Sequence, residues 1–317
     1  MRVSAPVPSG DLMRYKRLDL NLLVALDALL DERNTTKAAH RLSVSQSAMS
    51  GMLSRLRDYF EDELMVQVGR AMQRTPLGDE LAGPVRELLM QVDSTIALRH
   101  DFVPQEAQRH FRIAASDYAV SVLLAPLIRQ LQRLAPRITI ELMPLLARSN
   151  EIIKSGQTDL LVIPEELAGE EHPLERLVSD SYQCLVWDGN EVVGAVLDMG
   201  TFLACGHVTP LFGPFRQSSL DERFFRQHGI ERRFQVMTPD FESMAQTIVG
   251  TDLVATMPSR LARICAGRYP IRLLEPPMAV PAIRYSMQWH RHHTADPCHR
   301  WLRAQLAELA RNVDGPA

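Results

Sequence analysis

Between Leu18 and Phe60 three runs of helical periodicity follow one another with only two- and three-residue breaks, and the last run leaves one face without a large side chain. Residues 18–32 place Leu22, Leu23, Leu26, Leu29 and Leu30 on one buried face. Asn34 is positioned to cap a short helix over Thr35–Leu42, where the pair Ala38–Ala39 lets a neighbouring helix approach closely. After the turn Ser43–Ser45, Ser45 is positioned to cap a third helix, Gln46–Phe60. Met49, Met52, Leu53, Leu56 and Phe60 form its apolar stripe. Ser47, Ser50, Gly51 and Ser54 form a small polar face. Such a face on an isolated helix reads as solvated surface. On the second helix of a tight pair it reads as the face that sinks into a DNA major groove, because long side chains would hold the helix off. The chain's formal net charge of -3 hides a local excess: from Arg33 to Arg57 the charged residues are Arg33, Lys37, Arg41, Arg55 and Arg57, with no Asp or Glu.

The pattern then shortens. Leu64, Val66 and Val68 alternate, Gly69 permits a turn, and Arg70 and Arg74 bracket it, which predicts a basic β-hairpin wing over 64–75. Residues 76–98 return to helix, with Leu81, Val85, Leu88 and Val92 at three- and four-residue steps. That stripe fits a dimerisation seam or packing against the chain's own core. Pro84 is expected to kink this helix or end its first segment. Residues 99–109 lack periodicity and read as a linker.

From residue 111 strands alternate with helices, which predicts an α/β unit with a mainly parallel sheet. Strands are expected at 111–116, 138–145, 159–164, 182–187, 207–212, 234–238, 252–258 and 284–290, and a final helix at 299–311. No apolar run approaches the roughly 18 residues of a membrane helix. The first residues carry no secretory h-region and read as a disordered tail over 1–13. Four cysteines without CxxC spacing suit a reducing cytoplasm. His290, His292, His293 and His299 invite a metal reading, but an HxHH strand sends its side chains to opposite faces, so no metal and no cofactor is expected. No GxSxG elbow or P-loop is present, which argues against an enzyme. A solute-binding protein would have no use for the helix-turn-helix.

The residues from Leu20 to Leu81, with the paired-alanine helix, the SVSQ step and the leucine-rich helix end, resemble the DNA-binding domain of LysR-type transcriptional regulators. FRIAASDY, SGQTDLLVIP, TDLVATMP and DPCHRWLR extend the resemblance to about Arg311. It is strongest to the NodD/NahR-like branch that answers to flavonoids and other aromatics. The resemblance implies a winged helix-turn-helix over 14–75, a linker helix over 76–98 and a two-lobed periplasmic-binding-protein-like α/β effector domain over 109–313. Lobe I would be 109–180 with 282–313, and lobe II 181–281. Gln46 and Ser50 would face base edges with Ser47 and Ser54 nearby, Thr36, Ser45 and Arg55 would meet phosphates, and Arg70 would enter a minor groove. Ser47 stands where most relatives have Pro, and Gly51 where a long basic residue is common. Effector positions would be Ser116, Leu123, Asp180, Gln217, Ser218 and Phe241. Asp180 replaces a basic or imidazole group of a relative, which disfavours a carboxylate inducer; as a plain residue it reads equally as a solvated loop carboxylate. Implied partners are double-stranded promoter DNA, a small aromatic effector, a homodimer or tetramer, and RNA polymerase, with activation the usual sign of control.

Overall fold

The computed structural model describes residues 18–69, 71–97, 102–145, 149–154 and 156–314. The expected tail over 1–13 and Arg70 lie outside them. The chain divides into two compact units with the main break at Ile96/Ala97.

The first unit begins with α1 (Leu20–Glu32), α2 (Thr35–Arg41) and α3 (Gln46–Phe60). Both expected caps are made. The Asn34 side chain accepts from the Lys37 amide at 3.0 Å, and Ser45 Oγ accepts from the Ala48 amide at 3.1 Å. Each satisfies an amide that the helix itself leaves without a partner, a contribution of about 1 kcal/mol. Leu26, Leu29, Ala38, Met49, Leu53 and Leu56 close one core. The wing is an antiparallel hairpin of β1 (Met65–Val68) and β2 (Ala71–Arg74). Asp62 ties its base by accepting from the Leu64 amide and the Thr75 hydroxyl, both at 2.6 Å. α4 (Pro76–Ala97) then starts against the wing, and a Cβ on Gly78 would run into the Leu64 carbonyl. α4 runs through Pro84 as one helix, so no first segment ends there. Pro84 is exposed, so the carbonyl that loses its amide partner there can bond water instead.

The second unit holds two sheets. The first has the order β4-β3-β5-β13-β6, from β3 (Arg109–Ala115), β4 (Ile138–Pro144), β5 (Leu160–Pro164), β6 (Leu174–Asp180) and β13 (Ile283–Trp289). The other has the order β10-β8-β11-β7-β12, with β9 (Gln217–Ser218) beside β8. It is built from β7 (Tyr182–Trp187), β8 (Gly206–Phe212), β10 (Arg233–Thr238), β11 (Val254–Pro258) and β12 (Ile271–Leu274). The sheets are mixed rather than mainly parallel. β3, β4 and β5 run parallel, as do β8, β10 and β11, but β13 is antiparallel to β5 and β6, and β7 to β11 and β12. The reason is topological: the chain crosses between sheets after β6 and returns through β13, and each crossing strand enters its sheet against the local direction.

Helices cover the sheets. α5 (Asp117–Ala119) continues through a π segment (Val120–Leu124) into α6 (Ala125–Leu134). α7 (Ser149–Lys154), α8 (Met199–Ala204), α9 (Leu220–Gln227), α10 (Phe241–Ile248), α11 (Ser259–Ala266) and α12 (Pro297–Asp314) complete the set. One continuous core runs through both lobes, from Phe111 and Leu127 to Phe241, Met257 and Leu306.

Candidate nucleic-acid interface and sensing site

On α3 the buried residues are Met49, Leu53 and Leu56. Gln46, Ser47, Ser50, Gly51, Ser54 and Arg55 are all exposed, as are Thr36 and Ser45. Gln46, Ser50 and Ser54 are spaced at four residues and stack along one face. A Cβ at Gly51 would meet nothing within 4 Å, so this face is open space. The Ser47 hydroxyl is engaged already, 3.0 Å from Ser45 Oγ at the cap. The cations divide into two groups. Arg41 is held by Asp31 at 2.7 Å and Asp27 at 3.5 Å, and Arg57 by Glu63 at 2.9 Å and the Met65 carbonyl. Arg33, Lys37 and Arg55 are exposed and make no ion pair among the described residues. Their charge is therefore available to phosphate. Arg33 and Lys37 did not stand out in the sequence because nothing local separates them from Arg41, whose partners lie on α1.

The α4 stripe splits. Leu81 and Val85 pack on the core of the first unit, while Leu88 is 45% exposed and Val92 half-buried. Arg86, bonded to Asp27 at 2.7 Å, fixes the buried side of the helix to α1.

In the second unit Ser116 caps α5 and its hydroxyl lies 3.0 Å from the Tyr285 hydroxyl. Tyr285 stacks on Tyr118 at 4.5 Å, and Tyr118 donates to Asp180 at 3.0 Å. Asp180 also accepts from the Arg260 amide at 3.0 Å, at the start of α11. Burial raises its pKa. The solvated-loop reading of Asp180 is therefore corrected: it is a buried carboxylate that ties α5, β6 and α11 at the crossover. Leu123 is fully buried, and Phe241 is 3% exposed and packs edge-on to Phe212 at 5.3 Å. Gln217 is exposed and Ser218 half-buried on β9, and no hydrogen bond joins their side chains to the other four among the described residues.

The sequence missed a neighbour of Ser116. Asp117 accepts from the Glu242 amide at 2.9 Å, so a carboxylate from one lobe caps α10 of the other. Burial pushes its pKa up to about 6. Ser121 adds a second bond across the lobes, donating to Glu242 at 2.6 Å. The histidines also differ from expectation. β13 ends at Trp289 and Arg291–His293 is a 3-10 turn, not strand. His293 stacks on His299 at 5.1 Å, and His299 lies between the Asp159 carbonyl at 2.9 Å and the Arg303 guanidinium at 2.8 Å.

Residues 20–79 match the bacterial regulatory helix-turn-helix family of LysR proteins, and residues 104–311 match the LysR substrate-binding domain. The chain belongs to the LysR family of transcriptional regulators. This regulator is 38% identical to nodulation protein D of Bradyrhizobium sp. (strain ANU 289) over 95% of its own length and 89% of the relative's. It is 37% identical to nodulation protein D 2 of Rhizobium leguminosarum bv. phaseoli, covering 95% of both chains. Among solved structures it resembles a probable transcriptional regulator from Pseudomonas aeruginosa, with TM-score 0.70 and 29% identity over 93% of this chain and 98% of the other. A full-length OxyR variant from the same organism shares the fold, with TM-score 0.72 and 18% identity over 93% and 95% of the two chains. Its family is one of transcriptional regulators rather than enzymes, and the helix-turn-helix match takes in α1, α2 and α3. No helix among its described residues is long and apolar enough to cross a membrane.

Proposed function

We propose that this LysR-family regulator acts in the cytoplasm as a dimer or tetramer on a partly palindromic promoter site, where it activates transcription with RNA polymerase in response to a small aromatic effector. The open face of α3 carries the DNA half of this reading, because it combines one amide, two free hydroxyls and nothing bulky. Gln46 can pair with adenine through two hydrogen bonds, and Ser50 adds a weaker contact. Thr36, Ser45 and Arg55, joined by Arg33 and Lys37, are suited to phosphates and would set register. Gln46→Ala and Ser50→Ala should each weaken binding to the cognate operator by about 1–3 kcal/mol while leaving random DNA nearly unchanged in a mobility-shift titration. Equal losses on both DNAs would remove the base-reading role.

The exposed side of α4 supports self-association, since Leu88 and Val92 leave apolar surface in water. Leu88→Glu with Val92→Glu should shift the protein to monomer in sedimentation, because a buried unpaired carboxylate is costly. An unchanged oligomer would move the interface elsewhere.

For the effector, the resemblance to aromatic-responsive regulators and the polar positions Ser116, Gln217 and Ser218 near the lobe crossing support a small aromatic ligand. Gln217→Ala and Ser218→Ala, which disturb no core packing, should raise the inducer concentration needed in a reporter assay without altering operator binding by the free protein. An unshifted dose response would displace the pocket. Phe241→Ala is a poorer probe, since emptying a core phenylalanine site costs about 3–5 kcal/mol of stability.

A further inference from the structure

At the lobe crossing the second unit has a cavity of about 250 Å³ that none of the six expected effector residues lines. Leu220, Phe224, Val280 and Ile283 give it an apolar wall, and Arg223, Gln227 and Glu166 give it polar groups. Its volume falls below the roughly 300 Å³ at which sites for drug-sized ligands begin, so an occupant would be small.

Arg223 is the informative residue. Its Nε is buried and has no hydrogen-bond partner, and its guanidinium makes no ion pair among the described residues. The contrast is Arg232 of the same lobe, whose guanidinium bonds to both Asp221 and Glu222. A carboxylate satisfies a guanidinium that has no ion pair of its own through two parallel charge-assisted bonds. Glu166 lines the same cavity but does not pair with Arg223; its nearest cation is Arg284 at 4.0 Å. The cavity therefore offers one unanswered cation beside an apolar wall.

We propose that this cavity is a second ligand site, for a small carboxylic acid carrying an apolar group, with Arg223 binding the carboxylate. Its position gives it leverage. Tyr182 opens β7, and Ala282 and Ile283 lead into β13, so both crossover strands line it. A ligand held between them and α9 favours the lobe angle at which the cavity is formed. The inference does not rest on the aromatic-effector reading, and its test needs no DNA.

The test is calorimetric titration and thermal melting of the full chain with benzoate, 4-methylpentanoate and L-leucine, set against benzamide and 4-methylpentanamide. At least one acid should bind saturably and raise the melting temperature, while its amide does not. Arg223→Gln should lose at least about tenfold in affinity and Arg223→Lys less. Ala282→Phe, which fills the cavity and leaves Arg223 in place, should also lose binding. A preference for L-leucine over 4-methylpentanoate would assign its ammonium to Glu166, and the reverse preference would assign the site to simple acids. The proposal is overturned if no acid binds saturably, if the amides bind as well, or if acids bind either Arg223→Gln or Ala282→Phe as tightly as the parent.

Discussion

Replacing Arg232 with Met should destabilise the regulator by about 3–5 kcal/mol, the loss typical when one partner is removed from a buried ion network. The Arg232 side chain is 1% exposed and bonds to Asp221 at 3.0 Å and Glu222 at 2.5 Å. Its guanidinium also lies over the rings of Phe225 at 4.7 Å and Phe234 at 5.2 Å. Methionine keeps much of the ring contact but strands two carboxylates in the interior. The first turn of α9 offers them only the partial positive charge of a helix N-terminus, worth well under the lost guanidinium. Changing all three residues to apolar ones of similar volume should recover most of the loss, because then no charge is buried. Urea denaturation of parent, single and triple variants checks this. A single variant within about 0.5 kcal/mol of the parent would mean that the carboxylates find other partners.

Moving from pH 7 to pH 5 should cost about 3 kcal/mol of folding stability. His299 and His207 are fully buried, and burial lowers their pKa values to about 3 and about 4. Both are neutral in the folded protein. The Arg303 guanidinium points at His299 Nδ1, so a proton there would meet a cation. A folded pKa below the unfolded value of about 6.5 gives stability that is complete above pH 6.5 and lost as pH falls toward the folded pKa. Each imidazole then contributes about 2 kcal/mol of loss by pH 5. Asp117 opposes them. Its pKa is raised to about 6, so its contribution is greatest at low pH and is lost as pH rises through 6, which returns about 1 kcal/mol over the same interval. Chemical denaturation at the two pH values reads the net change, and His299→Gln should remove roughly half of the imidazole part. Stability that stays level or rises on acidification would show that these histidines take up protons in the fold.

The first unit was legible because its signals are local. Asn34 and Ser45 cap the helices that their positions announce, and the exposed face of α3 follows from residues within one fifteen-residue helix. β6 was missed because its Glu175 and Arg176 look like loop; it is an edge strand whose partner β13 lies a hundred residues on. α11 was missed because it begins directly after Pro258, with no loop between strand and helix, although Leu261, Ala262 and Cys265 keep helical spacing. The sensing residues were less legible for a different reason. Leu123 and Phe241 are apolar whether they line a cleft or fill a core, and the buried cluster that holds them is assembled only where α5 and α10 meet. Asp117 beside Ser116 carries no mark of its role, because the amide it caps is 125 residues away.

On the proposed DNA reading, the bare face of α3 would also set how an operator for this regulator can evolve. Gln46 is the one side chain there able to make a two-point bond to a base, Ser47 is turned to its own cap, and Gly51 brings nothing. On the proposed reading, each half-site should therefore be written in few letters. Most single-base drift within it should be cheap, and the binding sequence could blur while the protein keeps its grip. What should not drift is geometry: the distance between half-sites and the ease with which the intervening DNA bends would carry the message that the letters do not. Promoters under this regulator should share a phase along the helix more faithfully than they share a consensus.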